Sequence, residues 1–276
     1  MNTRKFIAIV LFCACAYSRA NAAIVDTALT YSAAMHKNIK AVIVKPADYK
    51  DGKRFPVLYL LHGFSGNYSD WIKKVPAIAD LADTYHVIIV CPDGNVASWY
   101  FDSVENKNFK YETYIASELV SWVDTHYNTI NNRAKRAITG LSMGGHGAFY
   151  IAFKHQDVFG AAGSMSGLVD LRPFPDSFGI EQVLGKYSEH PKPWEQNSIV
   201  NMVYLLKSNA LALTFDCGYD DFLFRENESL HQKLLERNIA HDFTVRPGAH
   251  SWTYWGNSIT YQMLFFNHFF NNVLPK

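Results

Sequence analysis

The sequence has little cysteine and no marked excess of charge of either sign. Four cysteines among 276 residues are too few for a disulfide framework, and we predict that Cys91 and Cys217 are buried thiols. No cluster of cysteine and histidine has the spacing of a metal site, so neither a metal nor another cofactor is expected. The formal net charge of +1 argues against a nucleic-acid-binding protein, which would carry a strongly basic surface.

An apolar run long enough to span a membrane is also missing. The apolar stretch 6–17 follows two basic residues and is shorter than the roughly 20 residues that a transmembrane helix needs. The A-x-A pattern at 20–22 completes the features of a secretory signal peptide. We therefore predict that residues 1–22 are removed after Ala22, which gives a secreted or periplasmic protein, with a lipoprotein anchored at Cys15 as the alternative.

Apolar runs alternate with helical patterns along the rest of the chain. This alternation predicts a single α/β domain over residues 23–276, with a mostly parallel sheet covered by helices on both faces. Helices are expected over 113–127, 223–239 and 252–270. The stretch 168–203 is proline-rich and irregular, as in an excursion that forms a lid or a substrate wall. The predicted strands are AVIVKP, FPVLYLLHG, HVIIVCPDG, RAITG, FGAAGSMSG, LALTFDCG and HDFTVRPG.

Ser142 lies in the sequence GLSMG, which fits the pattern G-x-S-x-G. This pattern is weak alone, because a serine between glycines can simply occupy a turn. Here it falls between the predicted strand RAITG and a predicted helix, the strand–turn–helix context of a nucleophilic serine. The free N–H groups at the start of that helix would also stabilise an oxyanion. We therefore predict that Ser142 is a nucleophile.

A serine nucleophile needs a histidine base and a carboxylate that orients the histidine. His250 follows a glycine in a loop after a predicted strand, and we predict that it is the base. The sequence around the other candidates favours a solvated helix for His231, a strand start for His241 and helix packing for His268. The carboxylate belongs to the segment LTFDCGYDDF, where local reasoning does not separate Asp220 from Asp221 and places Asp216 inside the strand.

An oxyanion hole requires two backbone donors. The first is the N–H of Met143, directly after the nucleophile, and the second is expected in the loop after an early strand. The segment LLHGFSG offers the N–H of Phe64, whose ring would also form a pocket wall. His62 in the same segment is predicted to be a buried histidine that braces the loop.

These motifs together resemble the esterase D-type family of α/β-hydrolases. That family includes S-formylglutathione hydrolases, feruloyl and acetyl esterases, tributyrin esterases and mycolyltransferases. In the family the acid stands three residues after the glycine of the CG pair, so the resemblance assigns the role to Asp221 rather than Asp220. It also implies an α/β-hydrolase fold and a Ser142–His250–Asp221 triad. The matching segments are YLLHGFSGNYSDW, CPDGN, ASWYFDS, GLSMGGHGAF, CGYDDFL and PGAHSW.

The resemblance implies a serine carboxylesterase that acts on a small-molecule or carbohydrate ester, and the predicted signal peptide implies that it is secreted. Acetyl or feruloyl esters of carbohydrates are the expected substrates, and no nucleic acid or membrane span is expected. Trp99, Tyr100 and Trp252 stand in predicted loops near the catalytic end, and we predict that they contact the substrate, although aromatic residues also dominate protein cores. An acyltransferase with the same triad and a non-catalytic carbohydrate-binding protein are the alternatives.

Overall fold

The computed structural model describes residues 22–207 and 210–274, so residues 1–21 of the predicted signal peptide lie outside the described residues. Eight strands form one sheet in the order β1-β2-β4-β3-β5-β6-β7-β8. The pairs β1–β2 and β2–β4 are antiparallel and the other pairs are parallel, which confirms the predicted α/β class. The strands are β1 Ile24–Ser32, β2 Lys37–Lys45, β3 Val57–Leu61, β4 Ile88–Pro92, β5 Arg136–Gly140, β6 Ala161–Met165, β7 Ala212–Gly218 and β8 Asp242–Arg246.

The central strands are apolar runs because both faces of the sheet are covered. Every residue of β3, β4, β5 and β6 is buried. Along β3, Tyr59 and its alternate neighbours belong to one hydrophobic cluster, whereas Leu58 and Leu60 belong to the cluster on the opposite face. The core therefore consists of two layers separated by the sheet.

Helices cover the two faces of this sheet. One face packs against α5, α8, α9 and the helical segment 111–126, and the other packs against α1, α2 and α10. A π-helical turn, Tyr114–Leu119, interrupts the helix predicted over 113–127. The α-helices are α1 Asp70–Lys74, α2 Ile78–Tyr85, α3 Tyr111–Thr113, α4 Val120–His126, α5 Met143–Lys154, α6 Glu181–Leu184, α7 Pro191–Asn197, α8 Ile199–Met202, α9 Phe224–Glu236 and α10 Trp252–Phe270.

The N-terminal strand β1 lies at one edge of the sheet and was not predicted from the sequence. It pairs with β2 alone, and Leu29 and Tyr31 remain exposed. Its start is tied to the body of the protein, since the Ala23 N–H donates to Asp83 Oδ2 at 3.0 Å. The second carboxylate oxygen of Asp83 accepts from the Ala47 N–H. One side chain of α2 thus holds two segments of the chain.

The stretch 168–203 contains three short helices, α6, α7 and α8, whose buried residues belong to the same hydrophobic cluster as α5 and α9. Buried hydrogen bonds stabilise this stretch and hold it against the rest of the domain. The indole N–H of Trp194, which has no exposed surface, donates to the Gly185 carbonyl at 2.9 Å. His146 of α5 is equally buried, and its Nε2–H donates to the Asn197 carbonyl at 2.9 Å. The stretch is therefore a packed part of the domain.

Both cysteines of the described residues are buried free thiols, as predicted, and burial raises the pKa of Cys91 and of Cys217. Within 22–207 and 210–274, no helix is both long and apolar enough to cross a membrane. In the same residues, no three side chains of histidine, cysteine, aspartate or glutamate gather as a metal site would require.

Candidate active site

Ser142 lies at a sharp turn between β5, which ends at Gly140, and α5, which begins at Met143. Its backbone has φ 52° and ψ −117°, a conformation that L-residues rarely adopt. The flanking glycines make the turn possible. A Cβ at Gly140 would lie 2.6 Å from the Gly144 carbonyl oxygen, and a Cβ at Gly144 would lie 2.5 Å from the His62 carbonyl oxygen. The pattern G-x-S-x-G is thus required by packing around the strained serine.

His250 and Asp221 lie next to this serine. Ser142 Oγ is 3.0 Å from His250 Nε2, and His250 Nδ1 is 2.9 Å from Asp221 Oδ2. The Asp221 side chain is fully buried, whereas 19% of the His250 side chain is exposed. Asp221 Oδ1 also accepts from the Leu223 N–H at 2.9 Å, which fixes the carboxylate in its turn. The Nδ1–H of His250 can therefore donate to the carboxylate while Nε2 faces the serine hydroxyl.

Asp221 follows β7 and His250 follows β8, and the segments after these two strands approach each other closely. A Cβ at Gly218 would lie 2.1 Å from the Gly248 carbonyl oxygen, so only glycine fits there. The Asp220 N–H donates to that same carbonyl at 3.0 Å. The glycine of the CG pair therefore allows the turn with Asp221 to approach the loop with His250.

The other two aspartates of this segment have different surroundings. Asp216 lies in β7, is buried, and accepts from Gln262 Nε2 at 2.8 Å and from the Ser258 hydroxyl. Burial raises the pKa of Asp216. Asp220 is exposed to solvent. Among these three aspartates, the structure brings only Asp221 to the His250 ring.

The remaining histidines lie elsewhere. His231 Nδ1 is 2.7 Å from His241 Nε2, so these two side chains pair with each other, and burial lowers the pKa of His241. His62 is buried, its Nδ1–H donates to the Gly63 carbonyl, and its Nε2 accepts from the Gly94 N–H. Burial lowers the pKa of His62, which keeps it neutral. It braces the loop after β3, as the sequence suggests.

The two N–H groups expected to form an oxyanion hole are both available. Within the described part of the chain, the backbone N–H groups of Phe64 and Met143 have no hydrogen-bond acceptor. The loop that carries Phe64 packs directly on the serine turn, because a Cβ at Gly63 would lie 2.5 Å from Leu141 Cδ1. The N-terminus of α5 adds the positive end of its dipole beside Ser142.

A cleft of about 530 Å³ opens over these groups. Its lining residues are Gly63, Phe64, Ser65, Gly66, Asp70, Lys74, Leu141, Ser142, Phe178, Phe222, His250, Ser251, Trp252 and Trp255. A smaller cavity of about 200 Å³ between β8 and α10 contains neither Ser142 nor His250. The larger cleft is thus the place where a substrate can meet the serine.

The cleft differs in part from the sequence-based expectation. Trp252 lines it, but Trp99 and Tyr100 do not, since they are only 1% and 0% exposed. The indole N–H of Trp99 donates to the Phe178 carbonyl at 3.0 Å, and the Tyr100 hydroxyl donates to the His62 carbonyl at 3.0 Å. Their aromatic surface is therefore used in packing beneath the cleft.

Other lining residues were not found from the sequence. Phe222 directly follows Asp221, so proximity to the acid could have indicated it. Phe178 comes from the irregular stretch, and Asp70 and Lys74 come from α1, where no pattern connects them with the serine. Their place in the cleft results from the packing of segments that are far apart in the sequence, so no local pattern indicates it.

The Esterase family model matches residues 32–266 of the chain. The chain belongs to this esterase family. The esterase is 27% identical over 251 residues to an acetyl esterase of Caldicellulosiruptor saccharolyticus, covering 83% of this chain and 92% of the relative. It is 27% identical over 244 residues to the diacylglycerol acyltransferase/mycolyltransferase Ag85A of Mycobacterium tuberculosis, covering 74% of this chain and 71% of that protein.

A solved structure of a ferulic acid esterase superposes on this esterase with a TM-score of 0.78 and 28% identity, covering 90% of this chain and 98% of that one. The resemblance stated from the motifs and the α/β-hydrolase fold are thereby confirmed. The protein is a carboxylic-ester hydrolase.

Proposed function

We propose that this esterase is an exported serine hydrolase that cleaves small acyl esters through a Ser142–His250–Asp221 triad. The observation that carries the proposal is the continuous series of contacts from Ser142 Oγ through the imidazole to the buried Asp221 carboxylate. A serine hydroxyl is a poor nucleophile near neutral pH, and a neutral imidazole at 3.0 Å can accept its proton. The carboxylate fixes the tautomer that leaves Nε2 free to do so.

In the proposed reaction Ser142 Oγ attacks the ester carbonyl while His250 Nε2 accepts the hydroxyl proton. The N–H groups of Phe64 and Met143 then donate to the oxyanion of the tetrahedral intermediate, an interaction that is strongest when the charge develops. His250 returns its proton to the leaving alcohol, which leaves an acyl-serine. Water activated by His250 then releases the acid and restores the free enzyme.

Acetyl or feruloyl esters of carbohydrates are the proposed substrates. Their support comes from the acetyl esterase and ferulic acid esterase relatives and from a cleft whose aromatic lining suits planar acyl groups and sugar rings. The net charge of the chain is close to zero, so no strong field selects a highly charged substrate.

The substrate class is tested by kcat/KM across a panel of esters, because this ratio measures discrimination between substrates. We expect hydrolysis of 4-nitrophenyl acetate and of acetyl or feruloyl sugar esters. Their kcat/KM values should exceed those for long-chain triglycerides and S-formylglutathione by about tenfold or more. A clear preference for either of the latter two would contradict the assignment.

An acyltransferase remains the second candidate, because the mycolyltransferase relative aligns over 74% of this chain. A transferase would use the same acyl-serine and pass the acyl group to a sugar alcohol in place of water. Product analysis of one ester with and without glucose or trehalose separates the two. For a hydrolase we expect free acid as the main product in both reactions, whereas acylated sugar as the main product would establish transfer.

Export is proposed from the sequence of residues 1–22. We expect the protein produced with this segment to begin at Ala23 and to be recovered free in the periplasm or medium. N-terminal sequencing and mass spectrometry of the exported protein provide the measurement. A Cys15→Ser variant is the matched control and should be exported and processed unchanged. A lipid on Cys15 in the original chain, with loss of anchoring in this variant, would instead establish a lipoprotein.

A further inference from the structure

One side of the cleft is a contiguous aromatic wall. The ring centroids of Phe64 and Phe178 are 5.8 Å apart, and those of Phe178 and Phe222 are 6.2 Å apart. The Phe222 ring in turn lies 4.7 Å from the His250 ring. We call Phe64, Phe178 and Phe222 the phenylalanine wall. It brings three aromatic rings beside the catalytic imidazole and carries no hydrogen-bonding side chain.

The other side of the cleft is mixed in character. Trp255 contacts His250 with ring centroids 4.8 Å apart, and Trp252 packs against Trp255. Lys74 Nζ lies 4.7 Å from the Trp252 ring and 3.7 Å from Asp70 Oδ2. This side therefore offers a cation, a carboxylate and indole surface, which are groups that bind hydroxylated molecules.

His250 contacts both sides, so an ester bound at Ser142 has one part on each. An ester of a sugar has a polar alcohol, whereas an aromatic acyl group is apolar and planar. Apolar surface is most stable against the phenylalanine wall, and sugar hydroxyls are most stable where hydrogen-bonding groups replace water. These preferences favour an aromatic acyl group on the wall and a sugar alcohol on the side of Lys74 and Asp70.

Phe178 is the member of the phenylalanine wall with an unfavourable backbone conformation, which contacts with other residues must stabilise. It has φ 56° and is followed by Gly179 with φ 64°, and a left-handed backbone at a phenylalanine costs free energy. Its carbonyl accepts the Trp99 indole N–H at 3.0 Å. Trp99 is itself buried, and its ring packs edge-to-face on His146 of α5, with centroids 5.5 Å apart. Phe178 is thus connected to the helix that begins directly after Ser142.

We infer that Phe178 determines specificity for an aromatic acyl group and that Trp99 is a positioning residue that holds Phe178 against the cleft. The inference rests on the proposed function and narrows its substrate class to esters of aromatic acids. Trp99 does not contact the substrate. It acts through the single hydrogen bond from its indole N–H to the Phe178 carbonyl.

The test compares 4-nitrophenyl ferulate with 4-nitrophenyl acetate, which share a leaving group and differ only in the acyl part. Phe178→Ala should lower kcat/KM for the ferulate about tenfold more than for the acetate, mainly through KM, as expected when apolar contact with the larger acyl group is lost. Phe178→Tyr keeps the ring and should retain the preference. Trp99→Phe keeps an aromatic ring, removes the indole donor, and should shift the ferulate-to-acetate ratio of kcat/KM in the same direction as Phe178→Ala.

Trp194→Phe is the matched control for Trp99→Phe. Trp194 is also buried and donates its indole N–H to a backbone carbonyl of the stretch 168–203, but its partner Gly185 does not line the cleft. Trp194→Phe should lower the unfolding temperature without changing the ratio of kcat/KM for the ferulate to kcat/KM for the acetate.

An unchanged ratio in Phe178→Ala, with acetate hydrolysis retained, would overturn the inference and leave the esterase assignment intact. An equal loss for both esters in folded Trp99→Phe would overturn the positioning role. If the unchanged protein hydrolysed neither ester, the proposed function itself would fail.

Discussion

Replacing Ser142 with alanine is expected to lower kcat about 10⁴- to 10⁶-fold, the scale found when a triad nucleophile is removed. The imidazole would have no hydroxyl to activate, and no acyl-serine could form. The fold should persist, because the Ser142 hydroxyl forms a hydrogen bond with the His250 side chain and supports no other element of the described residues by hydrogen bonding. Steady-state kinetics and thermal unfolding of the same preparation check both parts of the prediction.

The control is Ser229→Ala, which changes an exposed serine of α9 and should retain full activity. A fluorophosphonate reagent should label the original protein and the control, but not Ser142→Ala. Activity close to that of the original protein in a folded Ser142→Ala variant would exclude Ser142 as the nucleophile. Labelling of that variant would point to another reactive serine.

The second large effect is expected for Asp221→Asn, which should lower kcat on the order of 10⁴-fold. An asparagine amide group in this place favours the histidine tautomer with the proton on Nε2, so the nitrogen that faces Ser142 would no longer accept a proton. The buried carboxylate at 2.9 Å from Nδ1 is the group that prevents this. The pH dependence of kcat/KM in both proteins would show the loss of the base.

Asp220→Asn is the matched control, since it makes the same chemical change at the neighbouring position. Asp220 is exposed, and the imidazole Nδ1 bonds Asp221 instead, so kcat should change less than about twofold, as for an ordinary surface substitution. If the two variants ranked in the opposite order, Asp220 would have to be reassigned as the acid.

The sequence predicts those elements of the fold in which burial of the side chains produces a recognisable pattern of apolar residues. The central strands are buried on both faces, and their continuous apolar runs reveal them. The strand β1 was missed because its sequence does not run into glycine or proline, whereas the other edge strand, β8, is followed directly by Pro247-Gly248 and was predicted. The helix α10 was predicted with its observed bounds, Trp252–Phe270, since it has a clear start and a long amphipathic pattern.

Those site residues could be predicted that come directly after a predicted strand in the sequence. Ser142 and His250 stand at strand ends, where parallel sheets place reactive groups. Asp221 could be separated from Asp220 only by the family resemblance, because burial of one of two adjacent aspartates depends on the approach of β8 to β7. Trp99 and Tyr100 are buried by a turn in which both have positive φ, and no local sequence pattern indicates such a turn.

The hydrogen bond between the Ala23 nitrogen and Asp83 would give the proposed cleavage after Ala22 a thermodynamic consequence. In the precursor that nitrogen belongs to a peptide bond and donates as a neutral amide. Cleavage after Ala22 would turn it into an ammonium, and the same contact would become a charge-assisted hydrogen bond, about twice as strong as a neutral one. Signal removal would then stabilise the start of the first strand, so the processed enzyme would resist unfolding better than its precursor.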